Sequence, residues 1–312
     1  MKLRALLLAS LMIPAAAQAK APPVPVVQPV ALNQPALAEM VKTLSSDAFE
    51  GRAPGTPGEE KTVAYLIERF KAAGLQPGNK GAWTQDVPIV EITATNMAGL
   101  AITGGKQTML FAPGKDFVAG SYRAVDRTAI ADAELVFVGY GINAPELGWN
   151  DYAGIDMKGK VAVILVNDPD YANPTEEGPF KGRRMTYYGR WTYKFEEAAR
   201  QGARGALIVH DTFPAAYGWN VVESSWTGAQ HFVQKANKGM DQTEANGWIQ
   251  KPVAEAILAA AGQDLAKLTA AAKQRGFKAV PLGLKASLNF DNQLRTAMSK
   301  NVIGLQPGKQ RP

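Results

Sequence analysis

The sequence predicts a mixed α/β fold with a mainly helical first part and a second part rich in short strands. Apolar residues between 57 and 70 recur at helical spacing, whereas short apolar runs separated by turn residues begin near residue 96. From 161 to 209 the order is a buried strand, a long connection, a helix and a second buried strand, which is typical of an α/β unit. Hydrophobic residues make up 46% of the chain, enough for an ordinary core.

Residues 1–19 are predicted to be a cleavable signal peptide. Two basic residues precede the apolar run 5–13, and Ala17-Gln18-Ala19 has the small residues of a cleavage site, so we expect cleavage after Ala19. The apolar run is about half the roughly 20 residues that a membrane-spanning helix needs. We therefore expect a periplasmic or secreted protein without a membrane partner after cleavage, followed by a proline-rich linker over residues 20–34.

Residues 35–95 are predicted to form two helices and a strand. The first helix begins near Pro35, and its apolar face consists of Leu37, Met40, Val41 and Leu44. In the second helix, Thr56 is the N-cap, Pro57 the first helical residue and Glu59 the partner in a capping box, while Gly74 ends the helix. Its predicted buried stripe consists of Val63, Leu66, Ile67 and Phe70. The predicted strand covers residues 83–92.

Residues 96–290 are predicted to form a second, β-rich α/β domain. The predicted strands are 97–103, 108–111, 133–140, 161–166, 205–209 and 285–290. The predicted helices cover about 193–202, 252–262 and 264–272. The segment 211–251 is predicted to be mostly loop.

Residues 291–312 are predicted to lead back to the first part of the fold. The run 291–300 is predicted as a connection to a short strand at Asn301–Leu305, and Gln306-Pro307-Gly308 is a turn signal. A strand this short needs a sheet built from distant residues, so we expect it to join the strand at 83–92. Residues 96–290 would then be an insertion between two parts of one sheet.

Composition excludes several classes of function. The chain has no cysteine, which excludes a disulfide scaffold and thiolate metal sites. The net charge of +6 is scattered, and its densest patch is only Lys181-Gly182-Arg183-Arg184. A patch of this size is too small for phosphate-backbone binding, so no nucleic acid partner is expected.

No local motif specifies a reaction. The chain lacks the G-x-S-x-G sequence of a nucleophile elbow. The segment 304–309 resembles a phosphate loop, but it has three residues between its glycines instead of four, and one of them is a proline. A turn is therefore the better interpretation. Gly139-Tyr140-Gly141 matches only the first half of a dinucleotide fingerprint and is interpreted as a turn or bulge.

Three groups of side chains are candidate binding residues. His210 and His231 are the two histidines, and their spacing does not define a zinc site, so a capping or hydrogen-bonded role is preferred. An acidic loop could hold calcium but lacks the spacing of a known calcium loop, and a solvated loop is preferred; its members are Asp168, Asp170, Glu176 and Glu177. An aromatic and basic group could be a recognition surface or ordinary core and rim; it contains Arg184, Tyr187, Tyr188, Arg190 and Trp191.

Four segments together resemble the exported zinc aminopeptidases, the family that includes the glutamate carboxypeptidases and the transferrin receptor ectodomain. Residues 44–77 resemble the first helices of the peptidase domain. Residues 134–170 and 193–211 resemble the protease-associated (PA) domain that is inserted into it. Residues 301–308 resemble the strand that re-enters the peptidase domain.

The resemblance implies a two-zinc hydrolase. Two zinc ions about 3.5–4 Å apart would activate a bridging water, with a glutamate as general base. The first ligand would belong to a His-x-Asp shortly after the strand that 301–308 resembles. No residue of this chain matches a ligand, so no catalytic, cofactor-binding or metal residue is predicted.

The sequence therefore predicts residues 35–95 as the N-terminal part of a peptidase-like domain, 96–290 as the PA-containing insert, and 291–312 as the return strand. We expect an N-terminal portion of an exported metallo-aminopeptidase for peptide substrates, inactive by itself because the metal-binding half is absent. The alternative is a non-catalytic PA-domain protein that binds peptides or a protein partner. Neither the preferred peptide residue nor the oligomeric state is predicted.

Overall fold

The structure is a computed structural model that describes residues 31–308. The predicted signal peptide and most of the predicted linker lie outside these residues, as does the end of the segment 304–309. The chain divides into two compact units, Met1–Ser46 and Asp47–Pro312. The described part of the first unit is a helix, and the second unit contains a large sheet with its helices.

The helices and strands have the following bounds. The α-helices are α1 (Gln34–Leu44), α2 (Pro57–Ala72), α3 (Trp191–Arg200), α4 (Thr212–Ala215), α5 (Trp219–Trp226), α6 (Lys251–Ala260) and α7 (Leu265–Ala272). The strands are β1 (Gln76–Pro77), β2 (Thr84–Thr95), β3 (Leu100–Thr103), β4 (Met109–Phe111), β5 (Phe117–Gly120), β6 (Arg127–Phe137), β7 (Asn143–Ala144), β8 (Trp149–Asn150), β9 (Val161–Leu165), β10 (Gly205–His210), β11 (Ala229–Val233), β12 (Ala245–Gln250), β13 (Val280–Val302) and β14 (Gly304–Leu305). Short 3-10 helices cover Asp47–Arg52, Pro145–Leu147 and Tyr187–Gly189. Among residues 31–308, no helix is both long and apolar enough to cross a membrane.

The main sheet is mixed, which confirms the predicted α/β class. Its strands follow the order β11-β2-β13-β6-β9-β10-β12-β5, and β3 pairs with both β13 and β4. The four central strands β6, β9, β10 and β12 are parallel, and their neighbours are antiparallel. The central strands β9 and β10 are buried along their whole length, as predicted for 161–166 and 205–209.

Alternating side chains of these central strands fill two cores. Val163 and Leu165 lie in the core that also contains Ile257 of α6 and Leu265 of α7. Ile164 points to the opposite side and shares the second core with Phe195 of α3. The parallel strands are therefore covered on both faces by helices.

Most of the cap residues predicted for helix α2 are confirmed. Thr56 Oγ1 accepts the backbone N–H of Glu59 at 3.4 Å, and Pro57 occupies the first turn. At the other end Gly74 has a φ of 77°, and its N–H donates to Lys71 O at 2.9 Å, as in a Schellman ending. The capping box is wrong in one part: the Glu59 carboxylate accepts Gly55 N–H at 2.5 Å instead of that of Thr56. The predicted stripe, Val63 to Phe70, is half-buried rather than buried.

The prediction of three separate segments after residue 284 is wrong. β13 is one continuous strand of 23 residues that includes the predicted strand 285–290, the predicted connection 291–300 and the first residues of the predicted final strand. Its second half pairs with β2 from Asp291↔Thr95 to Val302↔Thr84. The expected pairing between 83–92 and residues 301–302 is thus present, while Gly304–Leu305 pairs separately with β1.

The segment 211–251 is not mostly loop. It contains α5, β11 and β12, and β12 is almost fully buried between β10 and β5. The letters Ala-Asn-Gly of β12 resemble a turn, but Asn246 and Gly247 are buried strand residues. Close packing explains the glycine, because a Cβ at Gly247 would lie 2.4 Å from the backbone oxygen of Val118.

Candidate ligand groove

One face of the strands β11, β2 and β13 forms the floor of a groove. Phe232, Val90 and Thr296 are paired across the three strands, so their side chains point to the same face. Leu294 lies two residues before Thr296 on that face and is 38% exposed. The result is a mostly apolar floor that residues distant in sequence build together.

The two walls of the groove come from α3 and from the loop 234–242. Thr192, Glu196, Ala199 and Arg200 have the spacing i, i+4, i+7 and i+8, so α3 presents one face to the groove. The opposite wall contains Gln234, Lys235, Lys238, Gly239, Asp241 and Gln242. The groove is open to solvent and has a volume of about 730 Å³, within the range of small-molecule sites.

The loop wall is held close to the end of β5. The backbone N–H of Ala124 donates to Lys238 O at 2.9 Å. Gly239 has a φ of 74°, and a Cβ there would lie 2.3 Å from the backbone oxygen of Tyr122. Only glycine fits this close approach, so the loop is fixed beside the groove.

Charged and polar groups lie mainly on the walls. Lys235 Nζ lies 3.1 Å from Asp241 Oδ2, and hydrogen bonds from Lys235 and then Asn237 lower the pKa of Asp241 to about 2. Burial and the nearby Glu196 carboxylate raise the pKa of Tyr122, so its hydroxyl stays neutral and can donate. The groove thus combines an apolar floor with hydrogen-bonding walls of both charges.

A smaller aromatic cavity lies beside the groove. It has a volume of about 270 Å³, and Tyr122 and Phe232 line both spaces. Trp191 and Trp226 complete its aromatic lining, with ring centroids 5.9 Å apart. Trp191 also packs on Phe195, which agrees with a core and rim role for this member of the predicted aromatic group.

The remaining members of the aromatic and basic group pack locally. Tyr187 donates its hydroxyl to Glu196 at 2.8 Å, and Tyr188 donates to Glu146 at 2.5 Å. Arg184 pairs with Glu176 at 3.2 Å. Tyr187 is therefore tied to α3 through Glu196, which also lines the groove.

The two histidines occupy different parts of the sheet and have other partners. His210, at the end of β10, is buried, and its Nε2 lies 3.0 Å from Tyr217 O. His231 on β11 faces away from the groove floor, with Nε2 3.3 Å from Glu91 Oε2. No three His, Asp or Glu side chains within residues 31–308 converge as metal ligands. The described residues therefore do not fit a zinc pair.

Of the two glycine motifs, the first is a turn, and the second begins as a strand instead of the predicted turn. Gly139 and Gly141 have φ values of 57° and 61°, and Gly139 O accepts the N–H of Leu165 at 2.7 Å, which ties this turn to β9. In the segment 304–309, the described residues Gly304 and Leu305 form β14.

The groove itself was missed at the sequence level. Its floor combines Val90, Phe232 and Leu294, which are separated by up to about two hundred positions, and no local motif connects them. The only sequence signal was the expectation that strands 83–92 and 301–305 share a sheet.

Comparisons with known proteins gave likeness to solved structures alone. No protein-family model matches the chain, and no curated protein matches it. An aminopeptidase from Aneurinibacillus sp. strain AM-1 is similar with 22% identity and a TM-score of 0.39, over 88% of this chain and 49% of that chain. BSAP, a zinc aminopeptidase from Bacillus subtilis, is similar with 16% identity and a TM-score of 0.30, over 88% of this chain and 48% of that chain. The chain thus spans about half the length of both.

Proposed function

We propose that this chain is the peptide-binding portion of an exported zinc aminopeptidase, in which the groove holds the substrate peptide and the PA-type insert shapes access to it. The observation that supports this is the origin of the groove. Val90 and Leu294 of the floor belong to the two predicted peptidase-like segments, 35–95 and 291–312. The walls and Phe232 belong to the predicted insert, 96–290.

The chemistry of the groove suits a peptide. An extended peptide presents apolar side chains and backbone N–H and C=O groups, and the groove offers an apolar floor with polar walls. Glu196 can accept hydrogen bonds, and the Tyr122 hydroxyl can donate one. No zinc step is assigned to any described residue, because none fits the metal.

A binding assay on the whole purified chain tests this proposal. The probes are a pool of fluorescently labelled decapeptides with free N-termini and the same pool with acetylated N-termini. We expect saturable binding, lost in Leu294→Arg, because a charge would replace the apolar floor. Met298→Arg is the matched control, since Met298 is an exposed residue of β13 that does not line the groove. Equal binding by both variants would refute the groove as the site.

The alternative is a peptide-binding protein without catalysis. It is favoured by His210, because its Nε2 already has the backbone oxygen of Tyr217 as a hydrogen-bonding partner. Zinc analysis combined with an aminopeptidase assay separates the two proposals. Zinc-dependent hydrolysis by any longer product of the same gene supports the peptidase portion, and peptide binding without hydrolysis by every product supports the alternative.

A further inference from the structure

The loop after β9 contains a buried carboxylate that has no hydrogen bond of normal geometry. Asp168 is 0% exposed, and within residues 31–308 neither of its carboxylate oxygens accepts a hydrogen bond of normal geometry, although the N–H and carboxyl of Asp170 lie beside them. Asp170 Oδ1 and Thr186 Oγ1, in the same region of the chain, are also buried without partners. The preferred sequence interpretation of a solvated acidic loop is therefore wrong for Asp168. It holds for Glu176 and Glu177, which are exposed.

Two side-chain oxygens of this loop lie beside the same glycine. A Cβ built at Gly189 would lie 2.9 Å from Asp168 Oδ2 and 2.9 Å from Asn167 Oδ1. Asp170 uses its other oxygen, Oδ2, to accept the N–H of Phe180 at 3.0 Å, which fixes the carboxylate in place. The carboxyls of Asp168 and Asp170 lie in contact with each other.

One buried ammonium lies among the carboxyl groups of this region. Lys194 is fully buried and donates from Nζ to Tyr140 O at 2.6 Å. Its charge acts on both Asp151 and Asp168. Buried polar atoms without partners often indicate an ion or water.

We propose that Asp168 and Asp170 bind a hard divalent cation, Ca²⁺ or Mg²⁺, which Asn167 assists through its side-chain oxygen. Carboxylate, amide and hydroxyl oxygens are the ligands that these ions prefer, and water completes their shell. Two carboxylates are fewer than a zinc pair requires, so this site differs from the two-zinc centre of the proposed enzyme and does not depend on the groove.

The experiment uses the whole chain after dialysis against EDTA. Isothermal titration with CaCl₂ and, separately, MgCl₂ should show one ion bound per chain, and the midpoint of thermal unfolding should rise with the bound ion. The two salts distinguish the two cations. The titrations extend to about 10 mM of each salt, which exceeds the dissociation constants of the weakest extracellular calcium sites. The proposal would be overturned if neither salt gave binding heat or a thermal shift.

Variants separate the site from general ion effects. Asp168→Asn should abolish the thermal shift, and Asp170→Asn should weaken binding at least about tenfold. Glu177→Gln, in the same loop but exposed, should bind like the unchanged chain. If Asp168→Asn does not fold, Asp170→Asn and Glu177→Gln still give the answer, because equal affinity in these two variants contradicts the site.

Discussion

The carboxylate of Glu59, in the first turn of α2, accepts a hydrogen bond of 3.2 Å from the backbone N–H of Lys300 in β13. The same Oε1 accepts the hydroxyl of Ser299, and Oε2 accepts Gly55 N–H at 2.5 Å. One side chain therefore joins the start of a helix to a strand 241 residues later in the sequence. Charge-assisted hydrogen bonds of this kind are among the stronger polar contacts in proteins.

Glu59→Ala should lower the free energy of unfolding by about 1–2 kcal/mol, because three donors lose a charged acceptor. The loss is limited because the site is half-exposed, so water can replace some of the lost hydrogen bonds. Urea denaturation at neutral pH measures the loss. Glu60→Ala is the matched control, since Glu60 is an exposed neighbour in the same turn. Equal losses in both variants would show that the effect is one of helix charge and not of the contact with β13.

The contribution of Glu59 should depend on pH in one direction. Burial raises its pKa, but hydrogen bonds from Ser299, Gly55 and Lys300 together outweigh it and bring the pKa below the ordinary 4.5. A carboxylate with a lowered folded-state pKa stabilises the fold above its unfolded value and loses that contribution as the pH falls through the folded value. The stability gap between the unchanged chain and Glu59→Ala should therefore narrow below pH 4.5. A gap that stays constant or widens on acidification contradicts this assignment.

Lys194 should be required for stability because it is the buried cation of the Asp151 and Asp168 cluster. Burial lowers its pKa to about 7, although both carboxylates raise it. Lys194→Met leaves two buried carboxyls without this charge and should cost about 3–5 kcal/mol, measured by chemical denaturation.

A double variant and a surface control identify the reason for that loss. Lys194→Met combined with Asp151→Asn should recover part of the stability, because the double variant also removes a buried charge. Lys158→Met, at an exposed lysine, should change the free energy of unfolding by less than about 0.5 kcal/mol. A double variant less stable than Lys194→Met alone would show that Asp151 acts mainly through its hydrogen bonds to Ile142 and Trp149.

The sequence predicted the elements whose periodicity is strong and local. The buried strands β9 and β10 are continuous apolar runs, and α2 has both cap residues, so each could be located closely. β13 could not, because its second half alternates Leu294, Thr296 and Met298 with polar residues on a partly exposed sheet. Such a pattern favours a strand only once the partner strand β2 is known.

The candidate sites were harder to predict than the fold. The groove depends on the register between β2, β11 and β13, which no local pattern encodes. For the acidic loop, the sequence identified the residues but could not show that Asp168 is buried while Glu177 is exposed, because both belong to one loop that carries no periodic pattern. Burial of a charged side chain is decided by tertiary packing, here by α3 and Gly189.

The close contact between Gly58 and Phe49 makes a final prediction about the start of α2. A Cβ at Gly58 would lie 2.3 Å from the backbone oxygen of Phe49, so Gly58→Ala must displace the 3-10 helix Asp47–Arg52. Alanine favours a helix over glycine by about 0.5–1 kcal/mol, but overpacking costs about 1–3 kcal/mol, so we expect a net loss of about 1–2 kcal/mol.

Gly105→Ala is the matched control for this prediction, because the nearest atoms to a Cβ there lie at 3.5–3.8 Å and the backbone has no unusual φ. Thermal and urea unfolding should show a change of less than about 0.5 kcal/mol for Gly105→Ala. A Gly58→Ala chain as stable as the Gly105→Ala chain would mean that the turn 47–52 yields freely, and that the contact with Phe49 does not fix the position of α2.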